Sequence, residues 1–436
     1  MHEEVTILGS GIAGLSAYAR AQELDLTAKI YEATSQAGGL MNSFTLSSPE
    51  GDWLFDNAVH LSFATELEVR AIFDRTPYLT HEPKALNFDA GYWLSHPVQN
   101  NMFVLPASEK ADLLVDLAQH LAERCTNKKV GNYREWLVDQ YGVKIAERWP
   151  LRYTRKYWTI QAEEMGTKWI GSRMRVADLW EVAFGAMSAE TPNTYYVSSM
   201  RYPKQGGYRS FLNSLLKNID LYCDCRAVGI NTETHEILFN TGNVCSYTNL
   251  VSTIPLPYLV SIIDNVPSFV RENAKTLYAT SIDLVSIGLN KPNIAPSLWF
   301  YIYDEDILAA RVYSPSWKSP KNAPPNCSSL QFEIYSSRQK KQHFTPNKLI
   351  EHCLMALEKM QIASRNNVIL THHKHIKFGN VVFDKGMEER RNYVRHWVES
   401  RGITVAGRFG EWDYLWSNQA FMSGLNAINK IVSFQS

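Results

Sequence analysis

The sequence predicts an α/β fold. It reads as a Rossmann-type, mostly parallel sheet with a helical insertion, joined to a domain built on a mixed or antiparallel sheet. Three observations predict it. A short apolar run near the amino terminus flows into a glycine-rich turn and a helix-favouring segment. Residues 130–200 are rich in Trp, Tyr and Arg and read as mostly helical. Strand-like apolar runs prevail after Tyr222.

Taken in order, Val5-Thr6-Ile7-Leu8 has the character of a buried parallel strand. Gly9-Ser10-Gly11-Ile12-Ala13-Gly14 follows, then the helix former Leu15–Arg20, and Lys29-Ile30-Tyr31 reads as a second strand ending at Glu32. Strand, glycine turn, helix and strand within about 30 residues make a βαβ unit. Residues 107–121 place Leu113, Leu114, Leu117 and Leu121 on one helical face. Strands are expected at residues 250–255 and 284–289, a helix at 347–361 and a last strand at 403–406, before Gly407. Pro315, Pro320, Pro324 and Pro325 crowd the segment Ser314–Cys327, which reads as an exposed connection.

With 436 residues the chain exceeds one ordinary domain. The expected division is a discontinuous dinucleotide domain (1–95, 203–275 and 395–436), a mainly helical substrate or lid domain (96–202) and an antiparallel-sheet substrate domain (276–394). Lys+Arg and Asp+Glu balance at 44 each, so charge gives no sign of a nucleic-acid partner. The six cysteines (Cys125, Cys223, Cys225, Cys245, Cys327, Cys353) are scattered without a CxxC pair, the pattern of reduced thiols in a cytoplasm. No apolar run approaches membrane-spanning length, and the early first strand leaves no room for a signal peptide. The expected location is cytoplasmic. His372-His373-Lys374-His375 hints at a metal, but strand alternation splits these side chains between two faces and no carboxylate or cysteine is evident nearby, so none is expected. The basic run Arg338–Lys341 reads as a solvated loop.

The glycines have separate tasks. Gly9 permits the tight turn, Gly11 lets backbone approach a pyrophosphate, and Gly14, one residue beyond Ala13, allows helix–strand contact. The helix start offers N–H groups and partial positive charge to phosphates. Glu32, 23 positions after Gly9, is placed to accept ribose hydroxyls. This pattern serves NAD and FAD alike.

Gly38-Gly39-Leu40, soon after Glu32, resembles the extended motif of FAD enzymes of the amine-oxidase and protoporphyrinogen-oxidase superfamily, and Gly407-Arg408 with Gln419, Ser423 and Gly424 resembles the segment that closes over their flavin. Val228 resembles the residue whose backbone meets the adenine. The resemblance implies FAD, with a helix starting near Asn418 aimed at the flavin pyrimidine.

Within that superfamily the chain most resembles UDP-galactopyranose mutase-like enzymes. The segments concerned are Tyr153–Trp158, Ser172–Val176, Tyr202–Tyr208, Ala310–Tyr313 and Gly407–Tyr414, the last with Trp412 in place of a tyrosine. The resemblance implies pyranose/furanose interconversion of a nucleotide-diphosphate sugar through N5 of reduced FAD, for cell-surface glycan biosynthesis, primed by a reductant such as NAD(P)H. It further implies Arg175 and Arg311 as diphosphate ligands assisted by Tyr414, Tyr153 as a face for the base, Trp158 as a pocket wall and His60 beside the flavin. A homodimer is compatible with it. Departures fall near the flavin and the sugar: Ala58-Val59 replaces Gly-Pro before His60, Phe63 replaces a histidine, and Trp416 stands where many mutases have an acid. The alternative is an FAD-dependent oxidoreductase of amine-oxidase or protoporphyrinogen-oxidase type, which needs an apolar tunnel and no diphosphate clamp.

Overall fold

A computed structural model describes residues 4–124, 129–171, 174, 176–191 and 197–433. Its organising element is a five-stranded, all-parallel sheet, ordered Ile403–Val405, Asn249–Ser252, Glu4–Leu8, Thr27–Tyr31 and Leu221–Tyr222. The strand Glu4–Leu8 is central because both its faces are buried, Val5 and Ile7 on one and Thr6 and Leu8 on the other, with Ile7 in register between Ile30 and Val251. Helices Ile12–Glu23 and Ser417–Ser433 pack together over this sheet, burying Leu15, Phe421 and Ile428 in one cluster. Gly424 makes that approach feasible, since a Cβ there would lie 2.1 Å from the carbonyl oxygen of Ala13.

A second, seven-stranded sheet runs Val368–Ile376, Ser281–Leu289, Ser328–Ser336, Arg311–Tyr313, Trp299–Ile302, Ala85–Asp89 and Tyr92–Ser95. Its pairings are antiparallel except that of Trp299–Ile302 with Ala85–Asp89. Helix Pro346–Lys359 covers one face, placing Leu349, Cys353 and Leu357 against Val285, Phe332 and Ile334. The expected strands at 250–255 and 284–289 and the expected helices at 107–121 and 347–361 all form, as Asn249–Ser252, Ser281–Leu289, Ala107–Glu123 and Pro346–Lys359. Between residues 130 and 200 lie helices Tyr133–Arg148, Pro150–Tyr157 and Leu179–Met187. Among the described residues no helix is long and apolar enough to cross a membrane.

Two expectations are corrected. Residues 85–95 were placed with the dinucleotide domain, but both strands there belong to the seven-stranded sheet, because Phe88 packs with Phe300 in its core. The segment Ser314–Cys327 is not an exposed connection. Pro315 and Pro320 open two short helical turns, Pro315–Lys318 and Pro320–Asn322, where a residue without an N–H costs nothing. Ser314, Lys318, Ser319 and Asn322 are all buried, drawn inward by an ion pair between Lys318 and Asp56.

Candidate dinucleotide and substrate site

The glycine turn after the first strand is built as its sequence requires. Gly9 takes φ +97° and donates its N–H to Tyr31 O at 2.8 Å, tying the turn to the second strand. A Cβ on Gly14 would lie 1.9 Å from Gly9 O, so only glycine fits there, whereas one on Gly11 would meet nothing within 4 Å. Helix Ile12–Glu23 starts on that open side with no side-chain cap and no acid in its first turn, leaving its first N–H groups for an anion.

Glu32 stands beside the turn with its carboxylate oriented by two neighbours. One oxygen accepts from Ser10 N (2.9 Å) and Ser10 Oγ (2.7 Å), the other from Thr34 N (2.9 Å) and Thr34 Oγ1 (2.7 Å). Gly38 donates to Ser10 O at 2.9 Å, and a Cβ on Gly39 would sit 3.3 Å from Gly11 Cα, so the second glycine pair folds onto the first turn. Leu40 is half-buried in the short turn Gly39–Met41. Val228 lies in strand Ala227–Asn231, where the ladder skips from Ala227 to Gly229, leaving Val228 outside the regular pairing.

The carboxy-terminal segment reaches the same place. Gly407 donates to Ser423 Oγ at 2.7 Å, and Ser423 in turn hydrogen-bonds Glu411. Gln419 accepts from Trp416 N (3.0 Å) at the start of helix Ser417–Ser433. Arg408 donates to Asn380 Oδ1 at 2.9 Å and lies over the Tyr414 ring, 4.7 Å from its centroid. Asn57 Oδ1, Asn380 Nδ2 and Arg408 Nε are buried with no partner among the described residues.

His60 follows the strand Gly51–Asp56. Its ring stacks on Tyr208 (5.0 Å, 24°), and its Nδ1 lies 3.0 Å from Ala58 O. Burial pulls the imidazole down to about 4 against the opposing pull of Asp56, so it is neutral at pH 7. Burial would raise the Asp56 carboxyl, but the Lys318 ammonium outweighs it and holds the group below the usual carboxylate range. Asp56 also accepts from Tyr202 OH (2.9 Å) and Tyr208 N (3.0 Å).

Arg311 faces Glu333 across the sheet register and donates to it from Nε at 2.7 Å, with Nη2 3.2 Å from Tyr335 OH. Its guanidinium lies 5.7 Å from the Tyr157 ring, and Tyr157 OH meets Tyr414 OH at 3.0 Å. Arg408, Tyr414, Tyr157 and Arg311 therefore form one continuous row. Tyr153 stacks on Tyr157 (5.5 Å, 17°) and meets Tyr301 edge-on, and its buried hydroxyl has no partner among the described residues. Trp158 is buried among Tyr157, Trp169, Phe383 and Tyr414. Arg175 lies outside the described residues.

Asp56, Glu333, Lys318 and Tyr157 were not singled out from sequence. Tyr157 lies within Tyr153–Trp158, and the signals available for Asp56 and Glu333 are carboxylates set among the apolar residues Trp53, Leu54 and Phe55 and Leu330, Phe332 and Ile334. For His372–His375 the structure corrects one premise: Asp283, on the neighbouring strand, accepts from His373 (2.8 Å) and His375 (3.0 Å), so a carboxylate is at hand. Still, no group of three His, Cys, Asp or Glu among the described residues could hold a metal ion. The described cysteines are free thiols.

Residues 7–76 match a family model described as NAD(P)-binding Rossmann-like domain. Over 99% of this chain and 96% of that one, the structure superposes on reduced UDP-galactopyranose mutase with TM-score 0.92 at 23% identity. A protoporphyrinogen-oxidase-like protein from Exiguobacterium sp. 255-15 matches over the full length of both chains (TM-score 0.75, 16% identity). Cyclohexylamine oxidase from Brevibacterium oxydans IH-35A does so with TM-score 0.69 at 13% identity. The chain thus shares the overall fold of UDP-galactopyranose mutase, protoporphyrinogen-oxidase-like proteins and amine oxidases, with a Rossmann-like match confined to residues 7–76.

Proposed function

We propose that the chain is an FAD-dependent enzyme acting on a nucleotide-diphosphate sugar, in the manner of a UDP-galactopyranose mutase. The residues present fit FAD. The uncapped helix start and open space at Gly11 suit a pyrophosphate, and Glu32 suits a ribose. The buried, unpartnered atoms of Asn57, Asn380 and Arg408 suit a polar ligand between the two chain ends. Ala13, Gly38, Gly39, Leu40, Val228, Gly407, Gln419 and Ser423 complete the proposed cradle. Once reduced, FAD supplies a nucleophile able to displace a nucleoside diphosphate from an anomeric carbon.

The observation that carries the substrate reading is the row Arg408–Tyr414–Tyr157–Arg311, two cations bridged by two phenols. A departing diphosphate needs such donors, and arginine's planar fork suits phosphate oxygens. Arg311 and Tyr414 bind it in this reading, with Arg175 as a second arginine. Tyr153 and Trp158 present aromatic surface to the base and sugar, and neutral His60 lines the flavin side. A reductant such as NAD(P)H for priming belongs to the same reading. A homodimer in the cytoplasm is part of the same proposal. The full-length matches to oxidases favour a second reading, net oxidation of an amine or porphyrinogen by FAD.

One experiment separates them. The flavin is reduced anaerobically, UDP- or dTDP-hexoses are added, and the mixture is trapped with cyanoborohydride for mass spectrometry. A flavin–sugar adduct is the expected result. Net flavin reduction by an amine or porphyrinogen, with no adduct, overturns the mutase reading.

A further inference from the structure

One buried carboxylate touches both halves of the proposed site. Glu333 has no exposed surface. Its Oε2 accepts from Arg311 Nε and Tyr335 OH, each at 2.7 Å, while its Oε1 accepts from the Val59 N–H at 2.7 Å. Val59 stands directly before His60. The bond needs a backbone N–H at this position, which any residue except proline supplies. Ala58 holds φ +78°, a conformation that a non-glycine residue keeps only when its surroundings enforce it. The Glu333–Val59 bond, spanning 274 residues of sequence, is one such restraint. Neutralising Arg311 requires only Oε2, so the contact through Oε1 is a separate device.

We propose that Glu333 is a positioning residue that couples anion capture at Arg311 to the setting of the Ala58–His60 loop through the Val59 amide. The inference rests on the reading in which Arg311 meets a nucleoside diphosphate and His60 lines the flavin. An anion arriving at Arg311 competes with Glu333 for the guanidinium N–H groups. The carboxylate charge then falls more heavily on its remaining donors, Tyr335 OH and Val59 N–H, and tightens the loop bond. His60, stacked on Tyr208, is thereby reset when the diphosphate binds.

The test uses FAD-loaded protein and UDP as the probe, with affinity read by calorimetry and the loop read by the flavin difference spectrum at saturating UDP. Wild-type protein shows a clear flavin difference spectrum. Val59→Pro deletes the one N–H and leaves the Arg311–Glu333 pair. It keeps UDP affinity within about threefold but loses at least about four-fifths of the spectral response. Val59→Ala keeps the N–H and the response. If Val59→Pro does not retain FAD, Glu333→Asp, one methylene too short to span both partners, loses the same share of the spectral response at saturating UDP, whatever its UDP affinity. A full response in Val59→Pro or in Glu333→Asp overturns the coupling. So does UDP binding to wild-type protein with no flavin response, which leaves the functional reading intact. Failure of UDP to bind wild-type protein overturns that reading and the coupling together.

Discussion

Replacing Lys318 with methionine should destabilise the protein by about 3 kcal/mol. Lys318 and Asp56 have 0% and 1% side-chain exposure, so the substitution strands a carboxylate in the interior. Breaking a buried pair from one side costs about 3–5 kcal/mol. The lower end applies, because Ser43 Oγ, Tyr202 OH and Tyr208 N–H still donate to Asp56. The assay is urea unfolding followed by tryptophan fluorescence, reading the midpoint at unchanged slope. Two features belong to this mechanism rather than to lost packing. The Asp56→Asn/Lys318→Met double variant recovers at least half of the loss, since it leaves no unpaired charge while the amide oxygen still accepts from Ser43 Oγ and Tyr208 N–H. The deficit of Lys318→Met also narrows as the medium is acidified. In wild-type protein the Asp56 carboxyl lies below its ordinary value, so its stabilisation is present above the unfolded carboxylate range and fades as pH falls. A loss under about 1 kcal/mol, or a double variant no better than the single one, would refute the reasoning.

Three further outcomes follow from the geometry. Gly14→Ala drives a Cβ to 1.9 Å from Gly9 O, backbone that cannot step aside, so the purified variant should lack the 450 nm absorbance expected of the wild type. Arg311→Met combined with Glu333→Gln, which avoids stranding the carboxylate, should weaken UDP binding at least about tenfold by calorimetry while FAD remains bound. The His60 ring, pulled down to about 4, should show no protonation above about pH 5.5 by NMR of histidine-labelled protein. Its neutral form is favoured by the fold, so stability tied to it is complete above pH 6.5, the group's ordinary value, and declines as pH falls toward 4.

The turn of the proposed dinucleotide site is legible because its demands are local. Gly9 and Gly14 serve a turn and a helix start within one βαβ unit, each fixed by the space it must leave, and Glu32 closes the next strand. Gly407 and Ser423 could be placed only by resemblance, since nothing adjacent to them shows that they return to Ala13 and the first helix. Lys318 was invisible for a clearer reason. Its partner Asp56 lies 262 residues away, and burial of an ammonium has no local signature. The prolines around it signalled irregular backbone, which was mistaken for exposure, although short proline-led turns pack well when a buried ion pair anchors them. Glu333 alternates with Leu330, Phe332 and Ile334, a pattern that assigns it to a polar face and says nothing of its partners. Strand register places it opposite Arg311, and the fold brings the Val59 N–H to its other oxygen. Likewise Asp283, some 90 residues from His373, is brought to the histidines by strand pairing alone.

The claim beneath all of this is that the Gly9–Gly14 turn, Glu32 and the Gly407–Ser423 segment enclose FAD. The most direct measurement is the absorption spectrum of purified protein, with the released cofactor identified by chromatography against FAD, FMN and NAD standards. The account predicts a yellow protein holding about one FAD per chain, directly or after incubation with FAD. A protein that stays colourless after such incubation, or that releases a nicotinamide dinucleotide instead, contradicts it.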